Sequence, residues 1–152
     1  MNKRSIFNGV KDSDMKILSE LRSGSRQTLA EISRKTKISI STVYDRIKFH
    51  EKELIKKHTS IVDFELLGYG LRANMLLSTR NKEGLKEYLK ENPNVNSAFE
   101  INGEFDFIID CIFANMSECR DFIDSFDKFD VDNKQVHYVI DDFKVESFMT
   151  NN

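Results

Sequence analysis

Residues 28–48, TLAEISRKTKISISTVYDRIK, most narrow what this chain can fold into. Thr28 and Glu31 have capping-box spacing: the hydroxyl accepts from the third helical N–H, and the glutamate reaches back to the cap. Leu29, Ile32 and the less apolar Ser33 then share one helical face. The pattern breaks at Thr36-Lys37 and restarts at Ser39-Ile40-Ser41, where serine oxygens suit the orphan N–H groups of a helix start. Val43 and Ile47, spaced i and i+4, give a second helix its buried face. Ser41, Thr42, Tyr44, Asp45, Arg46 and Lys48 fall on its other faces. Two short helices around a turn of about four residues, the second polar and partly basic outside, describe a helix-turn-helix.

The 152 residues suffice for one ordinary domain or two small ones. With 39% hydrophobic and 32% charged residues, the composition is that of a soluble globular chain rather than a disordered one. No apolar run approaches the ~20 residues that span a bilayer. The opening MNKRSIFNGVKD has no apolar stretch after its basic pair, so a secretory signal is not expected. Cys111 and Cys119 have no histidine near them and make no zinc pattern. They read as buried or half-buried free thiols of a reducing cytoplasm. Neither a metal nor a cofactor is called for. The net charge of −2 conceals a split: residues 1–60 carry 14 Lys and Arg against 7 Asp and Glu, a balance of +7, and the remaining 92 carry 9 against 18, a balance of −9. A basic first half suits a phosphate backbone, and an acidic second half does not.

Taken in order, residues 1–11 read as a loose leader. Asp12 or Asp14 caps a first helix with Met15, Ile17, Leu18 and Leu21 inward, ending near Ser23-Gly24 in left-handed geometry. After the helix-turn-helix, Leu54-Ile55 and Ile61-Val62 are β-prone runs flanking Lys56, Lys57 and His58, the size of a hairpin wing. Residues 63–70, DFELLGYG, are a joint punctuated by two glycines. Then follow a strand from Leu71 to Thr79, a helix over 82–91 ended by Pro93, and a strand over 95–101 with Val95, Ser97, Phe99 and Ile101 on one face. A tight turn at Asn102-Gly103-Glu104 leads to a strand over 105–113 and a helix over 116–126. A strand over 135–140 and an apolar trailing segment over 143–148 complete the chain. The order β-α-β-β-α-β is the ferredoxin-like split βαβ. Its second sheet face, with Ile108 and Ile112, calls for another protein chain.

Four motifs in this order resemble the Lrp/AsnC, or feast/famine, family of regulators. They are Asp14-x-x-Ile17-Leu18-x-x-Leu21, Ile38-Ser39-x-Ser41-Thr42-Val43-x-x-Arg46-Ile47, Ile61-Val62-Asp63 through Leu67-Gly68, and Gly103-Glu104-Phe105-Asp106. The resemblance covers essentially the whole chain. It implies an α+β architecture: an N-terminal winged helix-turn-helix (residues 1–62), a linker (63–70), and a ferredoxin-like sensor and oligomerisation domain (71–152). Three departures stand out. Lys37 replaces the family's turn glycine, at a cost of roughly 1–2 kcal/mol if left-handed. His50 takes an apolar helix position. The glycine before the wing is missing, since Glu53 runs directly into Leu54.

The resemblance further implies a cytoplasmic, sequence-specific transcriptional regulator, bound to double-stranded DNA and not to a membrane. Its sensor domains pair into a dimer that in this family commonly assembles into octamers. The DNA-facing set is Ser39, Ser41, Thr42, Tyr44, Asp45, Arg46 and Lys48, with Lys35 and Lys37 near the turn and Lys56 and Lys57 on the wing. Arg46 is either a guanine reader or a salt-bridge partner of Asp45 or another neighbouring acid. Lys48 meets phosphate, which positions without specifying. A small effector such as an amino acid is expected at Gly103 and Asp106; the plainer alternative is a hairpin glycine and a solvent-facing acid. Two other classes stay open. One is a co-regulator without DNA binding. The other is a tetrapyrrole-modifying enzyme, since siroheme decarboxylases resemble the same architecture. No catalytic set is evident in the sequence.

Overall fold

The computed structural model describes residues 10–150. The leader expected over residues 1–11 thus lies, but for its last two positions, outside the described residues. The chain forms two compact units, one of residues 10–61 with 143–150, the other Val62–Asp142.

The first unit holds helices α1 (Asp12–Ser23), α2 (Leu29–Thr36) and α3 (Ile40–Glu53). Ile17, Ile32 and Val43, one from each helix, form its buried centre, with Leu21, Leu29, Ile38 and Ile47 packed around them. Met15 is 44% exposed and stays outside that core. The expected capping box is present: Thr28 Oγ1 accepts from Glu31 N–H at 3.2 Å, and the Glu31 carboxylate accepts from Thr28 N–H at 2.7 Å. At α1 the cap differs from expectation. Lys11 is the N-cap, and Asp14 three residues on accepts its N–H at 2.7 Å. Gly24, with φ of −176°, is extended rather than left-handed.

The wing hairpin is not formed: no strand lies between α3 and Leu71. The α3 end accounts for part of this, because the N–H groups of both Leu54 and Ile55 donate to His50 O, at 2.9 and 2.7 Å. The first β-prone run is thereby folded onto the helix end instead of freed for pairing. Segment 143–150 belongs to this unit. Arg22 of α1 holds it, donating to the carbonyls of Glu146 and Phe148 and to the Glu146 carboxylate, at 3.0–3.1 Å.

The second unit is a four-stranded antiparallel sheet in the order β2-β3-β1-β4. Its strands are β1 (Leu71–Thr79), β2 (Val95–Glu100), β3 (Phe107–Phe113) and β4 (Val131–Tyr138), with helices α4 (Lys82–Glu91) and α5 (Met116–Asp124) between them. Alternation in β1 and β3 puts Ala73, Met75, Leu77, Phe107, Ile109, Cys111 and Phe113 on the helix-covered face. There they meet Leu85, Leu89, Cys119, Phe122 and Phe126. Tyr88 stacks on Phe129 with ring centres 4.8 Å apart. Both thiols are fully buried and free.

In β2 the expected facing is wrong past its first residue. The register slips between Val95 and Ser97, so Ala98 pairs with core-facing Ile109 and Phe99 with Ile108. One extra residue in a bulge reverses the facing of everything after it, and Phe99 is left 60% exposed. The sheet face away from the helices carries exposed Phe99 and half-buried Ile108 and Leu76 around a polar centre; Ile112, expected to need another chain, is already buried within this one. In that centre Arg72 donates to both oxygens of Asp110, at 2.7 and 3.0 Å, and to Asp142 at 2.6 Å.

Candidate DNA-recognition and effector sites

The turn between α2 and α3 is built by one strained residue and one cap. Lys37 closes α2 in the left-handed region, φ 60° and ψ 31°, so the turn keeps the shape a glycine would give it and carries the strain. The Ser39 hydroxyl then caps α3, accepting from Thr42 N–H at 3.3 Å and lying 2.8 Å from Thr42 Oγ1 and 3.2 Å from Ser41 Oγ. Ser39 is thus engaged in its own helix start.

Along α3, Val43 and His50 are buried and Ile47 half-buried, fixing the inner face. Ser41, Thr42, Tyr44, Asp45 and Lys48 are exposed together on the outside. Lys48 pairs with Glu51 one turn on, at 3.0 Å, which holds its ammonium pKa above the usual lysine value. Lys37, Lys56 and Lys57 are exposed; Lys56 and Lys57 sit on an irregular segment rather than a wing tip. Lys35 bonds Glu20 at 3.0 Å and Gln27 at 2.6 Å, tying α2 to α1.

Arg46 turns inward, away from this outer set. Its Nε and Nη2 donate to the two oxygens of Asp14, at 2.5 and 2.7 Å, and its side chain is only 24% exposed. The guanidinium also lies over the Phe49 ring, 4.8 Å from its centre. Burial works to raise the Asp14 pKa, but the Arg46 fork and the Lys11 N–H outweigh it and bring it down to about 2. The acid that Arg46 chose is 32 positions upstream, not the neighbouring Asp45. His50 completes the cluster. It is fully buried, with Nε2 3.3 Å from Asp14 Oδ1. Asp14 was read from the sequence as a cap and as part of the first-helix motif, not as the partner of Arg46; spacing carries no signal for so distant a pairing.

In the second unit the turn before β3 has Gly103 at φ +119°, a geometry that favours glycine. Ile101 N–H donates to Asp106 O at 2.8 Å, and Asp106 N–H donates to Leu77 O at 2.9 Å. The Asp106 carboxylate does not simply face solvent. It accepts from Thr79 N–H at 2.9 Å and pairs with Lys82 Nζ at 2.6 Å. The Lys82 bond first, and the Thr79 N–H next, hold its pKa below the ordinary carboxylate value. Lys82 and Thr79 were not singled out from the sequence; both reach Asp106 only through the fold.

Among the described residues, no group of three or more His, Cys, Asp or Glu is arranged to hold a metal. No helix there is long and apolar enough to cross a membrane.

Residues 11–53 match the family described as winged helix-turn-helix DNA-binding, and residues 75–147 match the Lrp/AsnC ligand binding domain. The HTH-type transcriptional regulator FL11 of Pyrococcus horikoshii is 32% identical over 73% of this chain and 76% of its own. The leucine-responsive regulatory protein of Rhizobium meliloti is 29% identical over 72% and 74%. The fold is shared with the Neisseria meningitidis transcriptional regulator NMB0573, solved as an L-Met complex. The TM-score is 0.82 at 24% identity, covering 90% of this chain and 93% of that one. It is also shared with B. subtilis LrpC, at a TM-score of 0.80 and 24% identity, covering 89% and 97%. With a helix-turn-helix whose second helix offers a polar outer face, followed in the sequence by a ferredoxin-like unit, the chain belongs to the Lrp/AsnC family of HTH-type transcriptional regulators.

Proposed function

We propose that this regulator binds a two-fold symmetric operator as a dimer or higher oligomer in the cytoplasm, under the control of a small effector such as an amino acid, and has no catalytic role. In this reading residues 1–62 bind DNA, 63–70 link, and 71–152 sense and assemble, apart from 143–150, which pack with the helices. The carrying observation is the outer face of α3: Ser41, Thr42, Tyr44, Asp45 and Lys48 stand exposed together from its first turn onward. Recognition helices contact base edges through their N-terminal residues. Lys37, Lys48, Lys56 and Lys57 supply charge for phosphate, as does Lys35 with the part of its charge that Glu20 leaves over. Pairing through the open sheet face, where Phe99 stands exposed, brings two recognition helices to one duplex, with half-sites expected about one helical turn, ~34 Å, apart or a multiple of it.

The effector reading rests on the turn at Gly103 and Asp106. A ligand amine there exchanges with the exposed Lys82 ammonium, and the glycine leaves room for close approach. The similarly folded Neisseria protein was solved with L-Met, which makes amino acids the first class to screen.

Selection of bound duplexes from a random pool at near-physiological salt tests the operator reading. A two-fold symmetric enriched site is expected. Binding without enrichment, only weak and salt-sensitive, refutes it. On the selected site, Lys48→Gln is expected to weaken binding to all sequences and lower the salt slope by about one.

A further inference from the structure

We infer that α3 reads its operator without a guanine-gripping arginine: Ser41, Thr42, Tyr44 and Asp45 select the bases, and Arg46 is a positioning residue. The inference rests on α3 being the recognition helix and adds which side chains do the reading, and on what bases.

Arginine, bidentate to guanine O6 and N7, is the commonest specific reader of a major groove. Arg46 is the one arginine of α3, and its fork is already occupied. Nε and Nη2 grip both oxygens of an Asp14 side chain with no exposure at all. Turning Arg46 outward strands a buried carboxylate, a penalty that cancels most or all of what one bidentate base contact supplies. The same turn lifts the guanidinium off the Phe49 ring. Asp14 sits in α1 and Arg46 in α3, so the pair fixes the rotation of the recognition helix within its unit.

What remains at the start of α3 has a different chemistry. Ile40 is 51% and Tyr44 49% exposed, large apolar surface at the helix start. Ser41 and Thr42 carry hydroxyls that donate or accept, within a chain of hydroxyls anchored on Ser39. Such a strip suits thymine methyl groups through Thr42, Tyr44 and Ile40. The Asp45 carboxylate accepts from cytosine N4 and is repelled by the acceptor edge of guanine. Lys48 lies further along the helix, paired to Glu51, and serves the backbone. The expected half-site is rich in A·T pairs under the strip, with a cytosine facing Asp45.

The test uses the full chain. Duplexes are selected by the wild type, and the affinities of single-base variants of the selected site are then ranked for Tyr44→Ala, Asp45→Ala, Arg46→Lys and Asp14→Asn. Circular dichroism confirms that each is folded at the assay temperature. Tyr44→Ala and Asp45→Ala are each expected to flatten the preference at one position by about tenfold. Asp14→Asn and Arg46→Lys are expected to weaken all sites by a common factor and leave the ranking unchanged. Should Arg46→Lys fold poorly, the Tyr44 and Asp45 variants decide alone: unchanged rankings in both overturn the inference. A selected guanine whose preference is lost only in Arg46→Lys overturns it too, while leaving the operator reading intact. A wild type that selects nothing refutes that reading, and this inference with it.

Discussion

Replacing Asp14 by Asn removes one charge and almost no volume from the centre of the helical unit, so its effect measures the Asp14–Arg46 pair. Removing one partner of a buried pair costs about 3–5 kcal/mol, because the other charge is left uncompensated. Arg46 keeps a quarter of its side chain in water, which lowers the expectation to roughly 2–3 kcal/mol. Linkage gives a second route to the number. The Asp14 pKa falls from 3.8 to about 2, and each unit is 1.36 kcal/mol, so the carboxylate contributes about 2 kcal/mol at neutral pH. The sign follows from the folded pKa lying below the unfolded one. The contribution is complete above about pH 5 and is lost as the pH falls through 4 toward 2. Hydrogen exchange isolates the unit concerned, since opening free energies are read amide by amide. In Asp14→Asn at pH 7, protection in α1 and α3 is expected to fall by about 2 kcal/mol, while α4 and α5 keep theirs. The wild-type advantage is expected to shrink to about 0.5 kcal/mol near pH 2, where the folded carboxyl is half protonated. A loss below about 0.5 kcal/mol at pH 7, or an advantage undiminished at pH 2, refutes the assignment.

Three further outcomes are expected. Lys37→Gly relieves a left-handed side chain, worth roughly 1–2 kcal/mol, and loosens the unfolded chain by about 0.4–1 kcal/mol. A net gain near 0.5–1 kcal/mol is expected from denaturant titration, and a loss of stability would count against strain at the turn. Gly103→Asp puts a side chain at φ +119°. It is expected to change oligomer size by sedimentation or effector response by operator titration, with α1–α3 protection unaltered; normal values for both remove the turn from the effector site. Burial pushes the Cys111 thiol up to about 12 and raises Cys119 as well. Alkylation of both is expected only on unfolding, so rapid labelling of the native chain would contradict the packed sheet–helix core.

Local hydrogen bonding was decided by the sequence alone. Thr28 and Glu31 cap α2 across three residues, Ser39 caps α3, and Lys37 takes the left-handed turn, because each arrangement is closed by neighbours in the chain. The alternation of β1 and β3 was equally legible, since a strand buried on one face repeats every second residue. So was the β-α-β-β-α-β order. What escaped the sequence was every choice among distant partners. Arg46 had Asp45 beside it and paired with Asp14, because only the packing of α1 against α3 removes water from that pair. Asp106 took Thr79 and Lys82, brought to it by the β1–β3 pairing and the start of α4. Phe99 turned outward because one bulge residue, whose neighbours Val95 and Ser97 pair out of step, reversed the facing of β2. Leu54 and Ile55 had the composition of a wing strand and closed the end of α3 instead. Composition and spacing state which groups need partners; tertiary structure, by excluding water around some pairs and not others, decides which partners they obtain.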